Sequence, residues 1–243
     1  MPVLPDADLI ARWPLSPLLA AQALWVRGKA VSLPEASGPR HGTAGSGAPL
    51  RVLIAGDSSA AGVGVSEQSQ ALSGQLTRAL SRSCQVHWRL CAATGATTAR
   101  CHEMLIALPA EPFDVAVTAL GVNDVTRLVS HRRFVARQQA LLQLLRHRFS
   151  VRHILVTGVP PMGAFPLLPH PLRWVLGAQA ARMDQALQQM LAQDPTAHHI
   201  AVTFPPDPAM AAEDGYHPSA AAYTLWADTM AQAILSRWST PQQ

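Results

Sequence analysis

The feature that most constrains this chain is an alternation. Short continuous apolar runs recur five times, each followed by a stretch of helical periodicity. Candidate strands are 50–55 (LRVLIA), 85–91 (QVHWRLC), 114–120 (DVAVTAL), 152–159 (RHILVTGV) and 199–204 (HIAVTF). Candidate helices fall at 66–82, 97–108, 131–149, 171–193 and 218–238. Strands alternating with helices imply β-α-β connections and a parallel sheet covered on both faces. The expected fold is therefore α/β with a five-stranded parallel sheet. In such a sheet ligands bind beyond the carboxyl ends of the strands. The chemistry should lie in the residues that follow each strand.

Composition narrows the organisation. At roughly 150 residues per domain, 243 residues make between one and two domains. An apolar share of 49% excludes a disordered chain, although only 14% of residues are charged. Fifteen glycines without a period exclude collagen. Cys84, Cys91 and Cys101 form no C-x-x-C, so a disulfide scaffold, a zinc site and thioredoxin-like redox chemistry are not expected. An odd number of cysteines suits a reducing compartment, with one bridge open as an alternative if the chain is exported. Residues 33–49 (LPEASGPRHGTAGSGAP) read as a linker. The layout is an apolar helical extension over 1–32, that linker, an α/β domain over 50–238 and a tail over 239–243.

The extension itself is ambiguous in sequence. Leu15 to Val26 is apolar, and Ala21-Gln22-Ala23 resembles a signal-peptide cleavage site. Against that, Asp6 and Asp8 precede the run, which is shorter than the roughly 20 residues that span a bilayer. The expectation is a short helix that packs on the domain or lies on a membrane. Trp13 and Trp25 would flank it, with Arg27 and Lys29 after it. A cytoplasmic location is expected, with membrane association and export by cleavage left open.

Four segments after strands carry polar chemistry. Gly56-Asp57-Ser58-Ser59 follows the first strand, where an exposed serine could act as nucleophile or simply cap a helix. Neither G-x-S-x-G nor G-x-G-x-x-G is present there. Gly95 follows the second strand, where it reads as a turn glycine. Gly121-Val122-Asn123-Asp124 follows the third, and an asparagine amide can also hold an oxyanion. Asp214-Gly215-Tyr216-His217 follows the fifth, setting a carboxylate three residues before an imidazole. Each segment alone reads as turn chemistry. Together they converge on one sheet edge.

In order and spacing these four segments resemble the SGNH, or GDSL, hydrolases over about residues 50–238. The resemblance implies a three-layer α/β/α, flavodoxin-like fold. It implies Ser58 as nucleophile, His217 as base and Asp214 as its orienting acid. The Ser58 and Gly95 N–H groups and the Asn123 side chain would form the oxyanion hole. The opening LLAAQALWVRGKAVSLPEASGPRHG is similar to a proteobacterial subgroup of esterases and lipases, some of which accompany long-chain N-acyl amino acid synthesis. Ser59-Ala60 departs from the leucine usual after the nucleophile.

The expected activity is carboxylic ester hydrolysis through an acyl-serine, on medium-to-long acyl chains. A serine-dependent acyltransferase or thioesterase, and a non-catalytic membrane-surface binding protein, are the alternatives. The apolar stretch Pro160 to Gly177 supplies Met162, Phe165, Leu168 and Trp174 as candidate pocket residues, or else packs under the last helix. Asp57 reads as structural. No metal or other cofactor is expected, and the partner is a small-molecule or lipid ester rather than nucleic acid. Nine arginines and no acid lie between Asp124 and Asp184, so a net charge of +4 hides +9 there and −5 elsewhere. That block reads as a solvated face on a core helix, with contact to an anionic membrane as the alternative.

Overall fold

The structure, a computed structural model, describes residues 7–29 and 31–238. Six strands form one sheet: β1 (His41–Ala44), β2 (Pro49–Gly56), β3 (Gln85–Ala92), β4 (Val115–Ala119), β5 (His153–Thr157) and β6 (Ala197–Ile200). Their order is β1-β3-β2-β4-β5-β6. The pairs from β3 across to β6 are parallel, and β1 runs antiparallel to β3 at one edge. Counting only the parallel strands, the order is 2-1-3-4-5, the flavodoxin-like arrangement. The strand order reverses between β2 and β4, so a ligand crevice opens at their carboxyl ends.

The helices are α1 (Ala7–Lys29), α2 (Leu72–Leu80), α3 (Thr98–Ala107), α4 (Val122–Thr126), α5 (His131–Phe149), α6 (Leu172–Leu191) and α7 (Ala220–Trp238). Two cores separate on the faces of the sheet. One joins Leu72, Leu76 and Leu80 of α2 to Tyr223, Trp226 and Met230 of α7. The other joins Cys101 and Leu105 of α3, Leu141 and Leu145 of α5 and Met183 and Leu187 of α6. Residues of β2 and β4 alternate between the two, with Leu53 and Ala116 facing one and Val52 and Val117 the other. The strand residues of β4 are all buried, as a central parallel strand requires.

Three expectations need correction. The sheet has a sixth strand, because residues 41–44 pair with β3 inside the segment read as a linker. Helix α2 begins at Leu72 and not at 66, because the buried Gln68 side chain is spent on loops. Its amide donates to the carbonyls of Ala36 and Ala61, and its oxygen accepts from Ser73 Oγ. The last strand ends at Ile200 rather than 204, and Val202 and Phe204 pack instead against the α2–α7 core. The cysteines are free and buried. The expected tail, 239–243, lies outside the described residues.

Helix α1 forms a fourth layer, outside α6. Asp8, only 2% exposed, accepts from Arg12 Nη2 at 2.9 Å and from Arg182 at 2.5 and 2.6 Å. Fourteen residues on, Gln22 donates to the His170 carbonyl at 2.6 Å and accepts from Leu172 N at 3.0 Å. Leu19, between these polar anchors, and Val26, one turn beyond them, pack against the core.

Candidate active site

Each site residue stands on a turn that its own sequence forces. At the end of β2, a Cβ on Gly56 would lie 2.5 Å from the Ala119 carbonyl and 2.6 Å from Ala60 Cβ, so only glycine lets β2 and β4 deliver the next residues. Ser58 follows on that turn, 9% exposed. The turn is held from α7, whose Tyr223 hydroxyl lies 2.8 and 2.7 Å from the carbonyls of Ser59 and Val63. On the opposite loop, Asp214 accepts the N–H groups of Tyr216 (2.9 Å) and His217 (3.0 Å) through one oxygen. The loop is pinned again where Ala212 N donates to the His217 carbonyl. These bonds present the imidazole.

The resulting array is continuous. His217 Nδ1 lies 2.6 Å from Asp214 Oδ2, and Nε2 lies 2.9 Å from Ser58 Oγ. Burial alone would raise the Asp214 pKa, but hydrogen bonds from the His217 ring and from the His217 and Tyr216 amides prevail and hold it below the usual carboxylate range. An ionised carboxylate only accepts, so Nδ1 carries the ring proton and the Nε2 lone pair faces the serine hydroxyl.

The oxyanion candidates are brought to the same edge. Gly95 has φ +76°, and a Cβ there would meet nothing within 4 Å, so its backbone borders open space. Among the described residues neither Ser58 N nor Gly95 N is spent on an internal acceptor. The Gly95 turn is braced by Glu35, which accepts from Thr94 N (2.6 Å) and Thr94 Oγ1 (2.9 Å) and pairs with Arg40. Asn123 is held in place, with its amide donating to the Ala96 carbonyl at 3.1 Å and to Asp57 Oδ2 at 3.4 Å. Its neighbour Asp124, fully buried, accepts from Thr98 N and Oγ1 and from Arg137. Asp57 does not touch the imidazole. It accepts from Ser59 N, and burial pushes its carboxyl up to about 7, against that hydrogen bond and with the Asp124 charge adding to the rise.

A cavity of about 1020 Å³ runs from this array beneath α1. Asp214, Tyr216 and His217 close one end, and Met162, Leu167, Leu168, Leu172, Val175 and Leu176 line one wall. Of the four expected pocket residues, Met162 and Leu168 are on that wall. Phe165 stands behind it, its ring edge-on to Tyr216 at 5.1 Å. Trp174 is not on it, because α6 turns Leu172, Val175 and Leu176 inward and leaves Trp174 on the far side. The other wall is unexpected. It is α1 itself, through Trp13, Ser16, Leu19, Ala20, Ala23 and Val26. Among the described residues no group of three or more His, Cys, Asp or Glu could hold a metal ion.

Fold and site define an α/β protein with a serine–histidine–aspartate array at the switch point of a flavodoxin-like sheet. A model described as the GDSL-like lipase/acylhydrolase family matches residues 54–225, and the chain belongs to that family. A GDSL-like esterase of Mycobacterium tuberculosis is 29% identical over 197 residues, 76% of this chain. The chain spans 62% of that relative's length. Among solved structures, a carbohydrate esterase family 2 enzyme of Myceliophthora fergusii superposes with a TM-score of 0.63 at 17% identity, covering 86% of this chain and 69% of the other. The esterase EstA of a Pseudoalteromonas species, solved in a form inhibited by monoethylphosphonate, gives 0.58 at 18% identity, with 78% and 99% covered.

Proposed function

We propose that this chain cleaves carboxylic esters of medium-to-long acyl chains through an acyl-serine intermediate. The observation that carries this reading is the relay from Asp214 through His217 to Ser58, at 2.6 and 2.9 Å. Ser58 Oγ attacks the ester carbonyl carbon while Nε2 takes its proton, and Asp214 stabilises the imidazolium that forms. The carbonyl oxygen gains charge against Ser58 N, Gly95 N and the Asn123 amide, whose longer bond to Asp57 is the one to be exchanged. Collapse expels the alcohol, which takes its proton from Nε2. Water then attacks the acyl-serine with the same base, releasing the carboxylic acid and restoring Ser58.

The acyl preference rests on the cavity, which adjoins His217 and is walled by aliphatic side chains over two facing helices. Ser58→Ala should abolish turnover and labelling by a fluorophosphonate probe, since each step needs its oxygen. On p-nitrophenyl esters, activity should peak beyond butyrate. Labelling that persists in the variant would refute the nucleophile, and a peak at acetate would refute the acyl preference. An added alcohol acceptor separates hydrolysis from transfer.

A further inference from the structure

Helix α1 is apolar on more sides than its packing uses. One face is docked through Asp8, Leu19, Gln22 and Val26, and a second lines the cavity. Among the described residues, the side turned away from α6 is left exposed. There Ile10 is 75% exposed, Trp13 86%, Leu24 71% and Trp25 55%. A monomeric surface seldom leaves so many large apolar side chains together without an interaction partner. The charge beside them has one sign. Arg27 and Lys29 are exposed in the last turn, while Asp8 is buried against Arg12 and Arg182. No carboxylate of α1's described residues faces solvent.

We propose that this outer face of α1 is a lipid-docking surface, which seats the protein on an anionic bilayer and presents the cavity mouth to acyl chains held there. Tryptophans beside an apolar stripe, followed by cations, are what an interfacial helix requires. Among the described residues no helix is long and apolar enough to cross a membrane, so the contact lies in the interface plane. Trp13 and Trp25 both line the cavity and are exposed, so the cavity opens where the helix would meet lipid. A second copy is a poorer occupant, because two such faces would bring together exposed cations and no exposed acid. The delivery of acyl chains rests on the ester-hydrolase reading, whereas the docking does not.

The test uses the full chain and the double variant Ile10→Glu/Leu24→Glu, which changes two outer-face residues that do not line the cavity. Sedimentation is measured with vesicles of phosphatidylcholine alone and of phosphatidylcholine mixed with phosphatidylglycerol. The wild type should bind the mixed vesicles, more weakly as salt rises. The variant should lose about tenfold or more in binding while cleaving a soluble short-chain ester within about twofold of wild type. A wild type left in the supernatant with both vesicles overturns the proposal. So does a variant that binds equally, or a solution dimer that the variant dissociates. Sedimentation needs no turnover, so a chain that binds vesicles but cleaves no ester refutes the proposed function and supports the docking surface.

Discussion

Two aspartates stand near the nucleophile, and their surroundings separate their tasks. Asp214 accepts three N–H donors and is held ionised, which suits a carboxylate that must stabilise imidazolium. Asp57 adjoins Ser58 in sequence but is 3% exposed and braces the turn through Ser59 N. Its carboxyl titrates near 7 in the folded chain and near 3.8 when unfolded. Between those values the folded state keeps a proton that the unfolded state has lost. Stability from this group therefore falls as pH rises from about 4 to about 7, by roughly 4 kcal/mol at most, and is level above. Asp57→Asn keeps an acceptor for Ser59 N without that ionisation. Urea titrations should find the variant gaining on wild type as pH rises from 4 to 7, with no further gain above. A difference independent of pH would mean that Asp57 is already ionised inside the fold.

At the level of elements, α1 sets the width of the cavity, and on the proposed function it thereby limits the acyl chain admitted. Ala20 and Ala23 face the opposing wall of Leu172, Val175 and Leu176, so small side chains keep the space between the helices open. Ala23→Trp would fill it. Turnover of decanoate and longer esters should drop by more than about tenfold in kcat/KM, while butyrate hydrolysis stays near wild type. Equal losses on both would place the acyl chain elsewhere. This wall was not legible in the sequence, for a physical reason. The apolar loop after β5 announced one side of a pocket, but its partner lies some 150 residues earlier and meets it only through tertiary packing. What was legible depended on local signals. The helical periodicity over 131–149 predicted α5 at the residues where it occurs, and the continuous apolar runs predicted β2 to β5. Strand β1 has the sequence HGTA and no apolar alternation, so its pairing to β3 had no local signature. Ser58, Gly95 and Asn123 were readable as candidates because each closely follows a strand that the sheet gathers, and His217 because Asp214 stands three residues before it. Glu35 was not, since it reaches the Gly95 turn from a segment that reads as linker.

Across the whole molecule, the +9 block and the −5 remainder are partners rather than separate surfaces. Arg137, Arg146, Arg152 and Arg182 each pair with a carboxylate at Asp124, Asp194, Asp114 or Asp8, beyond or at the limits of the block. Arg127 and Arg148 donate to the carbonyls of Gly95 and Leu108. Six of the nine arginines are thus drawn into contacts, among them those that join α1 to α6. Burial would raise Asp8, Asp114 and Asp194, but the arginine partners outweigh it and hold each below its ordinary value. A depressed carboxylate contributes stability that is present above its unfolded pKa and lost as pH falls through its folded one. Arg146→Gln/Arg152→Gln should therefore cost stability at pH 6, by about 1 kcal/mol per pair at most because both arginines are partly exposed. That cost should shrink as pH falls below the ordinary aspartate value of 3.8 and vanish once the aspartates are protonated and no longer pair. Urea midpoints of variant and wild type, followed from pH 6 to 2.5, check the convergence. If the block were instead a free anion-binding face, the substitutions would leave the midpoints together throughout and weaken only the binding of anionic vesicles.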